Sequence, residues 1–332
     1  MSDFRTLKGL YIKHVSSDPS NLAAGDIWYN TTTQTLKVAP SIGAWASGNN
    51  MGTARYQLSG CGTQTAGLGY GGYAAPGDPG SLDNTEEYNG SSWSDGEAMS
   101  SKRSQLSGQH VGTQTAALSI GGNSPAGNYG ALCEEYDGTD WASTDSLTTA
   151  RSYTAGFGIQ TAAVAGGGST SPATDATEEY NGSSWTSGED MVGTDRYSAT
   201  GTGTLTAGLA VGGHNPPTAY DLAEEYDGTD WAAATAIPTG KKGIFGGMGT
   251  QTNCLLAGGA IGTTGNTGCH TYDGTNWATS PAMATGRRGG ASGGTSTLTF
   301  AAGGNVGGNG AAGSNATEEF TGVATARSVD TT

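Results

Sequence analysis

The sequence predicts an all-β fold, a six-bladed β-propeller of four-stranded blades. Three observations predict it: a sixfold repeat with a period near 46 residues, an Asn-Gly or Asp-Gly hairpin signal in five repeats, and a gradient of side-chain size along each repeat. The repeat emerges on alignment by tryptophan. Trp45, Trp93, Trp141, Trp185, Trp231 and Trp277 are separated by 48, 48, 44, 46 and 46 residues. Ten residues after five of them stands Arg55, Arg103, Arg151, Lys241 or Arg287, and eleven after Trp185 stands Arg196. Each repeat then reaches a Gly pair, from Gly71-Gly72 to Gly303-Gly304.

The elements of a repeat follow in order. Its first two strands, as in QLSGCGT (Gln57 to Thr63) and TAGLGYGG (Thr65 to Gly72), are rich in Gly, Ala and Ser. Small residues suit the axis, where blades crowd together, and bulk is needed where the wedge between blades opens. The last two strands, as in TEEYNGSSW (Thr85 to Trp93) and CEEYDGTDW (Cys133 to Trp141), carry that bulk as Tyr and Trp. A two-residue type I′ turn at Asn-Gly or Asp-Gly is expected between them. The ends of the repeat array complement each other. The sixth repeat lacks a final Trp after Glu318-Glu319-Phe320, and GAWASGNN around Trp45 has the form of a last strand with no repeat before it. The N-terminal strand around Trp45 is therefore expected to complete the sixth blade and close the ring; the C-terminal tail is the alternative source.

Composition narrows the function classes. Gly is 59 of 332 residues, without the three-residue period of collagen. With 29 acidic against 14 basic residues, a net charge of −15 opposes nonspecific binding to nucleic acid or to anionic membranes. The opening MSDFRTLKGLYIKHVSS has no long apolar run or small-residue cleavage site, so no secretory signal is expected, and no apolar run approaches membrane-spanning length. Cys61, Cys133, Cys254 and Cys269 have no metal-ligand or disulfide spacing and are expected as small core thiols. No metal or cofactor is expected.

Two resemblances enter here. Met99, Arg103, Gly121-Gly122, Glu134, Tyr136 and Trp141 follow one another as in the kelch repeat, and residues 43–325 resemble six copies of it with a shorter Tyr-to-Trp hairpin. That resemblance implies a kelch-like β-propeller and leaves function open. DPSNLAAGDIWYNTTTQTLKV (Asp18 to Val38) resembles a segment of bacteriophage tail-fibre and other virion proteins. The GTQTA…GG…EEYDG wording of the repeats is similar to that of kelch-like proteins of marine phages. These imply a virion (phage particle, tail) location, residues 1–42 as an attachment arm and hairpin with Trp28, Tyr29 and Asn30 as attachment residues, 43–325 as the propeller, and 326–332 as a C-terminal tail.

The recurrent residues read as frame. A two-residue turn at Asn89-Gly90 would set Tyr88 opposite Ser91 and Glu86 opposite Trp93, placing Glu86, Tyr88 and Trp93 on one aromatic face. A carboxylate there requires a cation, so the pairs Arg55–Glu86, Arg103–Glu134, Arg151–Glu178 and Arg196–Glu224 are expected; where Arg becomes Lys241, Glu becomes His270. The same register sets Glu135 opposite Asp140 and Glu225 opposite Asp230, a like-charge juxtaposition that solvent or Ca²⁺ would have to offset. Gln64, Gln114, Gln160 and Gln251 are expected to pair with turn backbone, the alternative being a ring of amides at a channel mouth.

Function is expected where the repeats differ. The segments after each Gly pair vary in length and carry candidate ligand-binding residues of a loop face: Tyr73, Asp78, Tyr129, His214 and Tyr220. Exposed aromatic residues with amides and acids suit sugar recognition. The four histidines are scattered, and no Walker loop, His-Glu-x-x-His or sialidase-type box occurs, so no catalytic residue is assigned. The expectation is a non-enzymatic virion structural protein: a tail-associated fibre or receptor-binding component present in several copies, whose arm docks to other virion proteins and whose loops bind a host surface glycan. A capsid decoration or purely structural tail protein, and a glycan-active enzyme, are the alternatives.

Overall fold

The computed structural model describes residues 13–16, 27–32, 34–38, 43–74, 80–106, 110–308 and 312–322. The described residues form strands, turns and loops, and no helix is long and apolar enough to cross a membrane. The chain divides into two units, Trp45–Phe320 and Met1–Ala44 with Thr321–Thr332.

The larger unit contains six sheets built on four strands each, of which the fourth carries Thr218–Ala219 as a fifth strand beside Ala207–Asn215, and a two-stranded sheet of Ala260–Ile261 and Thr264–Gly265. The first runs Ser59–Thr63, Ala66–Tyr70, Thr85–Tyr88, Trp93–Gly96 in spatial as in chain order, and the next four repeat that plan. These five are antiparallel throughout. The sixth takes three strands from the end of the repeat array, Ala291–Gly294, Leu298–Ala302 and Thr317–Thr321, and its fourth is Ala44–Gly48. The first strands of successive sheets touch in sequence, and that of the sixth touches that of the first, in a propeller-like arrangement.

Six buried clusters fill the six gaps between neighbouring sheets. Between the first and second lie Cys61, Leu68, Tyr70, Ala117 and Tyr136 with Met99 and Leu106 from the connecting segment; between the sixth and first lie Ala291, Phe300 and Ala302 with Met51 and Leu58. All four cysteines are buried free thiols within these clusters. The innermost strands approach so closely that a Cβ on Gly60 would lie 2.6 Å from the Ala291 Cβ. The outer strands are stitched across the gaps. Trp93 and Trp141 each donate Nε1–H to a threonine hydroxyl of the preceding sheet, Thr317 and Thr85, at 2.9 Å. Tyr136 and Tyr180 donate to Glu87 and Glu135 of the preceding sheet at 2.7 and 2.8 Å.

The outer hairpin differs from the sequence expectation. Tyr88 pairs with Trp93 and Glu86 with Asp95, so the connection is four residues, Asn89–Ser92, rather than two. Only Gly90 (φ 86°) has positive φ there, whereas a type I′ turn needs it at both central residues. The Asn89 Oδ1 instead accepts from the amides of Ser91 and Ser92, each at 2.9 Å, which favours the longer turn. The shared face of Glu86, Tyr88 and Trp93 persists, because the pairing moves by two positions. The like-charge juxtapositions do not occur: Glu135 pairs with Ala142 and Glu225 with Ala232.

In the smaller unit, Lys13–Val15 lies parallel to Ile27–Asn30, which pairs antiparallel with Thr35–Val38. Trp28 and Asn30 are buried on one side of this sheet, while Tyr29 lies against the His14 ring at 5.1 Å. Of the three residues assigned to attachment, two thus serve the sheet's own packing, as strand alternation dictates.

Candidate functional site

The frame of the site is built by the once-per-repeat arginine. Arg55 lies 3.1 Å from Glu86, Arg151 2.6 Å from Glu178 and Arg287 2.9 Å from Glu318; Arg103 pairs with Glu134 and Arg196 with Glu224 in the same way. Every member is almost wholly buried. The guanidinium also ties down carbonyls: Arg55 Nη1 donates to Asn84 O at 2.8 Å and Gly71 O at 3.2 Å. The carboxylate ties down the preceding link, Glu86 accepting from the amides of Gly52 and Thr53 at 2.6 and 3.3 Å. Burial pulls the Arg55 guanidinium down to about 10, still charged at neutral pH. In the fifth sheet Lys241 donates to Gly268 O at 2.8 Å, and burial lowers its ammonium.

Two residues beyond each of these cations the chain turns through the left-handed region, at Gln57, Gln105, Tyr153, Ser198, Gly243 and Gly289 (φ 56° to 62°). Here the six links meet. Each donates its amide to the carbonyl of the preceding link, Gln105 to Gln57 and so on to Gln57 to Gly289, with N···O distances of 2.5 to 3.0 Å. The result is a closed hexagon of backbone hydrogen bonds. Beneath it, toward the first strands, lies a space of about 50 Å³. Above it opens a cavity of about 310 Å³ lined by Tyr56, Gln57, Tyr153, Tyr197, Ser198, His214, Lys242, Gly243, Arg288, Gly289 and Asn305.

Among the described residues, this mouth is lined by two cationic side chains and by hydrogen-bonding groups. Its phenols stay protonated: burial raises Tyr56, Tyr153 and Tyr197. His214 is held down at about 4 by burial first and by the Lys242 charge second, so its ring is neutral at pH 7. Burial, then Arg288, lowers Lys242. The aromatic walls are packed against each other, Tyr153 on Tyr197 at 5.7 Å and Tyr197 on His214 at 4.2 Å. Gln57 Nε2 donates to the Tyr153 hydroxyl.

Of the candidate loop residues, His214 lies in this cavity, but in the strand Ala207–Asn215 and 8% exposed, because that strand extends past the Gly pair to pair with Tyr197. Tyr73 is half-buried and packs on Tyr56 at 5.5 Å, behind the cavity wall. Tyr129 is half-buried too, accepting the Ser169 hydroxyl at 3.0 Å, and Tyr220 is held through its amide to Gly213 O at 2.8 Å. They are not the exposed aromatics expected, since bridges such as Tyr56 to Tyr73 and Asn123 to Tyr129 fold the loops back onto the links. Asp78 lies outside the described residues. The repeated glutamines do not bond their own turns: Gln114 Nε2 donates to Gly67 O and Tyr88 O, and Gln160 to Ala117 O and Tyr136 O, strapping each sheet to its predecessor. Tyr56, Tyr153, Tyr197, Lys242 and Arg288 were not singled out from sequence. Their signal was available in the dissimilar residues just after each repeated Arg or Lys.

The comparisons with known proteins bear on the fold. YjhT, a β-propeller of the kelch type, aligns with 82% of this chain and 97% of its own at a TM-score of 0.65 and 13% identity. The propeller-like arrangement is thereby shown. No family model and no curated protein matches the chain.

Proposed function

We propose that this chain is a six-bladed, kelch-like propeller of a bacteriophage virion, a tail-associated receptor-binding component that holds a host surface glycan non-covalently. Six sheets, the pairing of Ala44–Gly48 in the sixth and the closed hexagon of link amides support the six-bladed ring. The observation that carries the binding role is the 310 Å³ cavity at the centre of the loop face, of a size at the lower end for small-molecule sites and walled by tyrosines on a rigid frame. The virion setting rests on the resemblance of Asp18 to Val38 to tail-fibre segments, with residues 1–42 as the arm that docks to other virion proteins.

The test is a glycan array probed with the full chain, together with its localisation in imaged particles. Binding of a saccharide class, and density for the chain at the tail, is the expected result. Absence of saccharide binding with a capsid location would replace this reading by a decoration role, and turnover of a polysaccharide would overturn it in favour of an enzyme.

A further inference from the structure

We infer that the fifth sheet carries an anion site, in which Lys241 and the Thr239 amide hold one small anion of the chloride or short-carboxylate class where the other five sheets place a glutamate carboxylate. Those five copies define what the position demands. In each, one buried carboxylate meets the arginine of its own repeat and accepts from link amides just before that arginine. Gly52 and Thr53 donate to Glu86, Ser100 to Glu134, Thr148 and Thr149 to Glu178, Val192 and Gly193 to Glu224, and Ala284 and Thr285 to Glu318. In the fifth sheet three residues change together. Arg becomes Lys241, Glu becomes His270, and the first of the two link positions becomes Pro238, which has no N–H to donate. The negative charge is gone from the chain, and one of the amides that served it has gone too.

The cation, however, remains. Lys241 is 3% exposed, and among the described residues its ammonium donates to Gly268 O at 2.8 Å and forms no ion pair. That carbonyl is the counterpart of Asn84 O, to which Arg55 Nη1 donates while its Nη2 goes on to Glu86. Lysine has a single nitrogen, so the second contact is not made, and an ammonium with three donors spends one on the chain. The neighbouring Asn266 Oδ1 is neutral and already accepts from the Gly268 amide at 2.7 Å. His270 is half-buried where the glutamates are buried, and its ring is held down by burial first and by the Lys241 charge second. An imidazole supplies no negative charge. A buried cation without a counter-charge is costly, and an anion reaching Lys241 restores the contact that the other five repeats make internally. The carboxylate group accommodated in those repeats sets the size of the ion, and the one lysine charge sets its valence.

The experiment melts the full chain in sodium gluconate, an anion too large for the position, and replaces gluconate by chloride or by acetate at constant ionic strength. At about 200 mM the smaller ion should raise the melting temperature by about 3–5 °C, the shift given by a ligand with a dissociation constant of about 5 mM. Lys241→Met should remove the shift. Lys241→Arg combined with His270→Glu rebuilds the pair of the other sheets, and should also remove the shift while melting at or above the chloride-free parent. The exposed Lys102 is the control, and Lys102→Gln should keep the shift. In crystals soaked in bromide, an anomalous peak should lie beside Lys241 in the parent and be missing from the double variant. A stronger effect of chloride or of acetate supports the site either way and tells a halide from a carboxylate. A parent that melts alike in gluconate, chloride and acetate, a shift that survives in Lys241→Met and in the double variant, or bromide found only away from Lys241 would each overturn the inference.

Discussion

Replacing Glu86 by alanine tests the frame on which the mouth is built. The carboxylate lies 3.1 Å from the Arg55 guanidinium and accepts from the amides of Gly52 and Thr53, while the Arg55 side chain is 0% exposed. Its loss leaves a buried guanidinium without its counter-charge, a change that costs about 3–5 kcal/mol. Two link amides lose their acceptor, which adds about 1 kcal/mol once water has partly replaced it. The expected total is about 5 kcal/mol, and at about 2 °C per kcal/mol for a unit of this size the melting temperature falls by about 10 °C. Urea unfolding followed by tryptophan fluorescence measures it, as a lowered midpoint at unchanged slope. The fifth sheet supplies the internal control. There His270 stands at the Glu position and Lys241 is held by Gly268 O, so His270→Ala should cost less than about 1 kcal/mol. A Glu86→Ala variant within 1 kcal/mol of the parent, or an equal cost at His270, would refute the reasoning.

The remaining predictions concern acid, packing and the ends. His110 and His214 are both held at about 4 by burial, below the unfolded value near 6.5. The unfolded chain therefore binds more protons between these values, so stability is complete above pH 6.5 and is lost as pH falls toward 4, by up to about 3 kcal/mol per histidine; urea midpoints across this range that stay flat would be the contrary result. Gly60→Ala places a methyl 2.6 Å from both the Ala291 Cβ and Leu68 O and should cost about 1–3 kcal/mol by thermal melting, whereas an unchanged melting temperature would mean that the two first strands are not in contact. Removing residues 1–42 should leave the larger unit folded. Removing residues 1–48 takes away the last strand of the sixth sheet and the Trp45 ring that lies 5.3 Å from Phe320, and should lower the melting temperature markedly; equal melting of the two truncations would contradict the strand pairing.

Much of this molecule is legible in its sequence because a repeat displays its own rules six times. The Arg, the Glu-x-Tyr and the Trp recur in the same order at a period near 46 because each sheet must satisfy the same buried charge and fill the same wedge. The exchange of Lys241 and His270 marks which residues meet. Local chemistry was less decisive at the outer hairpin, where Asn89-Gly90 permits either a two-residue or a four-residue turn. The Asn89 side chain bonding Ser91 and Ser92, and the packing of the Tyr88 ring on Trp93 at 4.9 Å, accompany the longer one.

The mouth itself is a product of tertiary structure alone. Tyr56, Tyr153, Tyr197, Lys242 and Arg288 lie far apart along the chain, have no residue type common to all, and stand one or two positions beyond the repeated cation, where the pattern breaks. Sequence determines that the links exist and that each follows a buried cation. Only the tertiary structure brings the links of the six sheets within hydrogen-bonding distance of one another, and with them side chains that differ from repeat to repeat line a single cavity. A repeat encodes what its copies have in common, and a binding site at their convergence is made from what they do not.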